Sequence, residues 1–199
     1  PVSLCKNCYA TFAQSPFLTS QNQDARPGSI SNSPILCNTC GEPTCAQQLF
    51  QGVCMFCKLI KPQYRYLRSI AHYKEDTAKV VHSFKYRERY TQADQIASLL
   101  MLGIDSNCFP FAGWDLIVPV PSSFQVARKR GFSHTALVVR HLSAMLGIPT
   151  DIFALTSARR RKSQVDLEIV ERSINVQNAF TARQIAVNNK AVLLVDDVI

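Results

Sequence analysis

The chain has 199 residues, of which 47% are hydrophobic and 18% charged. That balance excludes a disordered chain, and no apolar run approaches the roughly 20 residues that cross a bilayer, so no membrane insertion is expected. The length suits one sizeable core, or one core plus a small module. The formal net charge of +8 fits a basic protein kept soluble by its charge. It fits equally one that meets a polyanion, either nucleic acid or a small phosphorylated ligand. Pro1 is not a natural start residue unless an initiator Met was removed, and no signal peptide is legible, so a cytoplasmic protein trimmed at both ends is expected.

Seven of the eight cysteines, Cys5, Cys8, Cys37, Cys40, Cys45, Cys54 and Cys57, lie in the first 57 residues. Residues 1–60 read as a separate module. Turn-forming Gln14-Ser15-Pro16, Arg26-Pro27-Gly28 and Asn32-Ser33-Pro34 mark residues 9–36 as loop. Cys37-Asn-Thr-Cys40-Gly41 follows, then Cys54-Met-Phe-Cys57. Each Cys-x-x-Cys makes a tight knuckle whose two sulfurs converge. Two knuckles complete a tetrahedral thiolate site, and zinc is the expected structural metal. A disulfide framework would need a secreted context, and metal binding in a reducing cytosol is the better reading. Cys5 and Cys8 are open to three readings: a second site with Cys45 as third ligand, an exchange with one of the chosen pairs, or a knuckle that binds nothing. Cys108 reads as a semi-buried thiol.

Beyond Lys61-Pro62, Tyr66–Tyr73 alternates like a strand. Val80, Val81 and Phe84 form one helical stripe, and Ala93, Ile96, Ala97 and Leu100 another that should stop at Gly103. Trp114–Val120 is expected to be a strand buried on both faces, with Pro119 and Pro121 at its exit. The next loop holds Ser122, Ser123, Arg128, Lys129, Arg130 and Gly131, which suits a phosphate ligand or, equally, a basic surface loop. A helix follows from Phe132, with Val138, Leu142, Met145 and Leu146 on one face and Gly147 at its close. His134 and His141 have no ligand-like neighbours in sequence and read as structural. Asp151–Leu155 is a short strand candidate. Arg159, Arg160, Arg161 and Lys162 repel one another, so residues 157–164 are expected to be an exposed mobile loop unless an anion orders them. Residues 166–174 read as a short helix, and an extended piece reaches Phe180. The alternation of strands and helices predicts an α/β fold with a mostly parallel sheet.

The last stretch, Ala191-Val-Leu-Leu-Val-Asp-Asp-Val-Ile199, should be a strand buried on both faces that leaves the sheet at Asp196 and Asp197. In open α/β sheets that carboxyl edge is where ligands bind. A Walker-B strand would need an upstream G-x-x-x-x-G-K-[ST], which is absent. A phosphoacceptor Asp would leave the basic loops unexplained, and a carboxylate pair can also bind metal directly. A ribose clamp uses all the parts. The two carboxylates would accept from the 2′ and 3′ hydroxyls, and the basic loops would serve a pyrophosphate.

These residues resemble the ComF (ComFC/GntX) family of phosphoribosyltransferase-like proteins. The resemblance runs through Phe84-Lys85-Tyr86-Arg87, Asp115–Pro121, Arg128-Lys-Arg-Gly-Phe132, Gln164-x-x-Leu167, Glu171-Arg172-x-x-Asn175-Val176, Ala179-Phe180 and Val192–Val198, and the paired knuckles resemble the zinc ribbon at the head of that family. It implies a type I phosphoribosyltransferase fold for residues 61–199, behind a zinc-ribbon module over residues 1–60. Asp196 and Asp197 match the acidic pair that binds phosphoribosyl pyrophosphate (PRPP) with Mg2+. Ser122, Ser123, Arg128 and Arg130 fall in the pyrophosphate loop, and Arg161, Lys162 and Gln164 in the flexible loop that closes over PRPP. The implied role is in natural transformation, handling incoming single-stranded DNA in the cytoplasm. Arg128, Lys129, Arg130, Arg159 and Arg160 would contact DNA, and Phe50, Phe56, Tyr64 and Tyr66 would stack bases or pack ordinarily. The ribbon would also suit docking of a helicase or another competence protein. The alternative is an active phosphoribosyltransferase that displaces pyrophosphate from PRPP with an unknown acceptor, and whether the protein is an enzyme stays open. The chain departs from the family at Ser133-His134, where Asn-Gln is usual, at Arg161, where Thr is usual, and in lacking one Cys-x-x-Cys pair. The family's Thr-Thr-Gly-x-Thr would follow the acidic pair, so a domain cut short at Ile199 is expected.

Overall fold

The computed structural model describes residues 35–71, 75–86, 92–105, 113–122, 133–157 and 179–198. They divide into two compact units, whose boundary falls within the two helices α2 (Glu75–Tyr86) and α3 (Ala93–Asp105).

The first unit opens with the antiparallel pair β1 (Ile35–Leu36) and β2 (Pro43–Thr44), and a single 3-10 turn, Ala46–Gln48, follows. Next comes the hairpin β3 (Leu49–Phe50) and β4 (Val53–Cys54). Its two-residue loop has φ of 52° at Gln51 and 80° at Gly52. Positive φ at both central residues is the type I′ turn, whose twist matches that of the flanking strands. Helix α1 (Met55–Ile60) starts directly after β4 and ends at Lys61, which takes the left-handed conformation and donates its N–H to Cys57 O. Tyr66–Tyr73 was expected to be a strand, and no strand forms over residues 66–71. Leu67 N–H makes one bond, to Thr39 O, and Arg68 spends its guanidinium on carbonyls of the first knuckle, so no ladder develops. The expected stop at Gly103 also fails. α3 runs on to Asp105, and Gly103 is buried inside it, where a residue without a side chain permits close packing.

The second unit is organised on β5 (Leu116–Pro119), buried at all four positions. It pairs in parallel with β8 (Val192–Val195), in register Leu116↔Val192 to Pro119↔Val195. Asp115 and Ala191 lock the start of the pair: Asp115 N–H donates to Ala191 O, and the Asp115 carboxylate accepts from Ala191 N–H, both at 2.8 Å. On the other side of β5, Thr150 makes a parallel bridge with Ile117, supported by bonds between Ile117 and the backbone of Pro149 and Asp151. Helix α4 (His134–Leu146) connects β5 to that bridge. Ser133 caps it, with Oγ accepting from Ala136 N–H, and Gly147 closes it at φ 68°. Val138, Val139 and Leu142 form its buried face, while Met145, expected on that face, is 46% exposed. The strand anticipated at Asp151–Leu155 lies later. Residues 152–154 turn, and β6 (Leu155–Ser157) pairs antiparallel with β7 (Phe180–Ala182). The four-residue helix α5 (Gln184–Val187) then leads to β8, and its Ala186 packs with Leu116, Val118 and Ala154 in a small apolar cluster.

The architecture is mixed α/β. Among the described residues parallel pairing is confined to β5, β8 and the Thr150 bridge, and the other three pairs are antiparallel. β8 is not buried on both faces as expected. Leu193 and Val195 are buried and Leu194 is 54% exposed. One face of β8 therefore meets the core and the other does not, the ordinary alternation of a strand covered on one side.

Candidate functional site

The first unit holds a cluster of four sulfurs. Cys37 and Cys40 lie on the turn between β1 and β2, Cys54 ends β4, and Cys57 lies in the first turn of α1. Their four Sγ atoms all lie within 4.8 Å of one another, and Cys40 and Cys54 are 3.7 Å apart. A regular tetrahedron with zinc–sulfur bonds of about 2.3 Å has edges of about 3.8 Å. The cluster is therefore sized for such an ion.

Two contacts align the knuckles. Asn38 N–H donates to Gly52 O at 2.8 Å, locking the first knuckle onto the I′ turn, and Cys54 N–H donates to Cys37 Sγ at 3.3 Å. The electrostatics are uneven. Burial pushes the Cys37 thiol up, but the backbone N–H groups of Cys54, Cys40 and Thr39 outweigh it and bring its pKa down to about 6. Burial raises Cys40. Burial, together with the neighbouring Cys40 and Cys54 side chains, pushes Cys57 far up. Four thiols this close cannot all ionise by themselves. A divalent cation removes that obstacle, because the thiolate is the ligand form. Over residues 35–71 only Cys37, Gly41 and Cys57 are buried, while Phe50, Met55, Phe56, Leu59 and Ile60 are exposed. This segment has no apolar core, and its sulfurs are its centre. The four cysteines fit a metal ion such as zinc. Cys45, considered as a third ligand elsewhere, is exposed and stands outside the four, and Cys5 and Cys8 lie outside the described residues.

The second unit brings the acidic pair to the carboxyl edge of its parallel strands. Val120 N–H continues the ladder to Val195 O, so Ser122 and Asp196 follow the paired strands at the same end. Asp196 is exposed, and its Oδ1 accepts the N–H of Asp197 at 2.8 Å. Asp197 is more enclosed, and its Oδ2 lies 2.5 Å from Nε2 of the buried His134. Thr135, next in α4, donates its hydroxyl to Val120 O at 3.0 Å, tying the start of the helix to the end of β5. Ser122 is half-buried at that end. Ser123, Arg128, Lys129 and Arg130, like Arg159, Arg160, Arg161, Lys162 and Gln164, lie outside the described residues.

Among the aromatics, Phe50 and Phe56 are well exposed, and Tyr64 is 40% exposed. Lys58 Nζ sits 3.5 Å from the centre of the Phe50 ring, and the Arg65 guanidinium lies 5.3 Å from that of Tyr66, both cation–π contacts. Burial, and then the negative charge of the nearby cysteines, hold the Tyr64 hydroxyl above its ordinary range.

The chain is 26% identical over 170 residues to competence protein F of Haemophilus influenzae, an alignment covering 82% of this chain and 72% of that protein. This homology supports a place in the ComF family. No family model matches the chain, and no solved structure matches it. None of the described helices is long and apolar enough to cross a membrane.

Sequence reasoning did not anticipate the contact of His134 with Asp197. Nothing near His134 in sequence looks like a partner. Its partner lies 63 positions away, brought close by the parallel pairing of β5 with β8. The sequence marks this position only as a departure from the Asn-Gln usual in the family that it resembles.

Proposed function

We propose that the protein acts in natural transformation, handling incoming single-stranded DNA in the cytoplasm, on a phosphoribosyltransferase-like domain that binds PRPP. The observation that carries this reading is the β5–β8 parallel pair, which delivers Asp196, Asp197 and the start of the serine- and arginine-bearing loop to one sheet edge, in a homologue of competence protein F. That edge is where open α/β sheets receive ligands. Asp196 and Asp197 would accept from the ribose hydroxyls, and the cations upstream would face the pyrophosphate, whose charge Mg2+ would share. The four cysteines would hold zinc as a structural ion. The basic clusters at 128–130 and 159–162, with exposed Phe50 and Phe56, would serve the DNA backbone and bases. The same exposed ribbon face would suit a helicase or another competence protein.

The test is calorimetric titration of the protein, together with whatever native sequence extends it, with PRPP and Mg2+. Saturable binding that is lost in Asp196→Asn plus Asp197→Asn is the expected result. Binding that ignores the double substitution, or no binding at all, refutes the ligand assignment.

A further inference from the structure

The two carboxylates at the sheet edge differ in how they are held. Asp196 is exposed and oriented by the amide that follows it. Asp197 is gripped by a side chain from another element, His134 at the first position of α4. The imidazole is itself closely held. Its side chain is 6% exposed, against 18% for Asp197. Phe84 packs against it edge to face, with ring centroids 5.8 Å apart and planes at 85°. The Ser133 cap and the Thr135–Val120 bond fix the turn that carries it. Nδ1 is buried with no hydrogen-bond partner among the described residues. Nε2 therefore makes the described polar contact of the ring. An ionised carboxylate can only accept, so Nε2 is the donor in this pair.

A carboxylate at a strand exit ordinarily turns freely about its side-chain torsions, and a ligand must pay the entropy of fixing it. A buried, immobile donor on one oxygen removes that freedom and aims the other oxygen. We infer that His134 is a positioning residue: by donating from Nε2 it fixes the Asp197 carboxylate in the orientation that receives the ribose diol. The inference rests on the PRPP reading of the acidic pair. His134 does not itself touch the ligand in this arrangement. It acts through Asp197, as outer residues do when they orient the groups that bind.

The test uses PRPP with Mg2+ in calorimetry on the same protein. His134→Phe keeps a ring against Phe84 and removes the donor, and it should weaken PRPP binding about tenfold or more. His134→Gln restores an N–H donor and should stay within about threefold of the parent. In Asp197→Ala the further change His134→Phe should cost almost nothing, because the two act as one unit. If His134→Phe binds like the parent, or if its effect adds in full to that of Asp197→Ala, the positioning role is overturned while the PRPP reading stands. If the parent protein does not bind PRPP, the reading falls and takes this role with it. Should His134→Phe fail to fold, nuclear magnetic resonance of 15N-histidine protein decides. The Nε2 proton of His134 should resonate far downfield in the parent and move upfield in Asp197→Ala, and an unmoved resonance overturns the inference.

Discussion

Gly41 is held at φ 71°, and a Cβ built there would lie 2.7 Å from the backbone oxygen of Leu67. Both effects act against any side chain: the left-handed backbone, and a neighbour that is main chain and cannot swing aside. Gly41→Ala should destabilise the metal-loaded first unit by about 2–4 kcal/mol, read as a lower melting temperature with zinc present. Asp151 presents a different case. Its carboxylate accepts from Phe153 N–H at 2.9 Å and from Arg183, and these contacts, led by the Phe153 amide and opposed by burial, hold its pKa below the ordinary value. A carboxyl whose folded pKa is depressed adds stability above its unfolded value of about 3.9 and loses it as pH falls through the folded value. Melting of the parent should therefore fall toward that of Asp151→Asn as pH drops below the ordinary carboxylate range. The difference at neutral pH should stay below about 1 kcal/mol, because Arg183 is largely exposed.

Among the elements, the ribbon of β1 to β4 and α1 has sulfur where other small folds have leucine. With an ion held there, its free energy of folding would depend on that ion, which in such sites contributes on the order of 10 kcal/mol. A strong chelator should abolish the protection of the Asn38 and Cys54 amides against hydrogen exchange while leaving that of Ile117 and Val120 intact. Loss of protection in both groups, or in neither, would show that the ribbon does not fold as a metal-dependent unit. The convergence of the four cysteines was legible in the sequence because Cys-x-x-Cys is a local motif whose geometry follows from its spacing. The strands β5 and β8 were legible for a similar reason, since Leu116-Ile-Val and Val192-Leu-Leu-Val are continuous apolar runs. The misreadings have a common cause. Tyr66–Tyr73 alternates like a strand, but a strand needs a neighbour, and Leu67 and Arg68 spend their hydrogen bonds on the knuckle instead. β6 and β7, three residues each, acquire their identity only by pairing with one another across 22 intervening residues. Leu194 belongs to an unbroken apolar run, yet what covers a strand face is settled by distant elements and cannot be read from the strand alone.

For the whole molecule, the net charge of +8 sets how any polyanion is met. If the protein contacts single-stranded DNA through about four phosphates, affinity measured by fluorescence anisotropy should fall roughly fiftyfold between 50 and 200 mM salt. An affinity indifferent to salt would rule out the basic clusters as the contact surface. Substituting Phe50 or Phe56 should lower affinity without changing that slope, since stacking releases no counterions.

Arg68 reaches back across the sequence, and its consequence extends beyond the ribbon. Its guanidinium donates to the carbonyls of Asn38, Thr39 and Leu67, while Leu67 N–H returns to Thr39 O. The knuckle that holds two of the sulfurs is thus bound to the chain segment that leads away from it. Two events that share such contacts are thermodynamically linked, each strengthening the other by the same factor. With an ion in the cluster, whatever tugs on the segment at Leu67 and Arg68 would loosen the grip on it, and taking the ion away would release the segment. The metal would then act as a latch on the connector as well as a staple for a small fold.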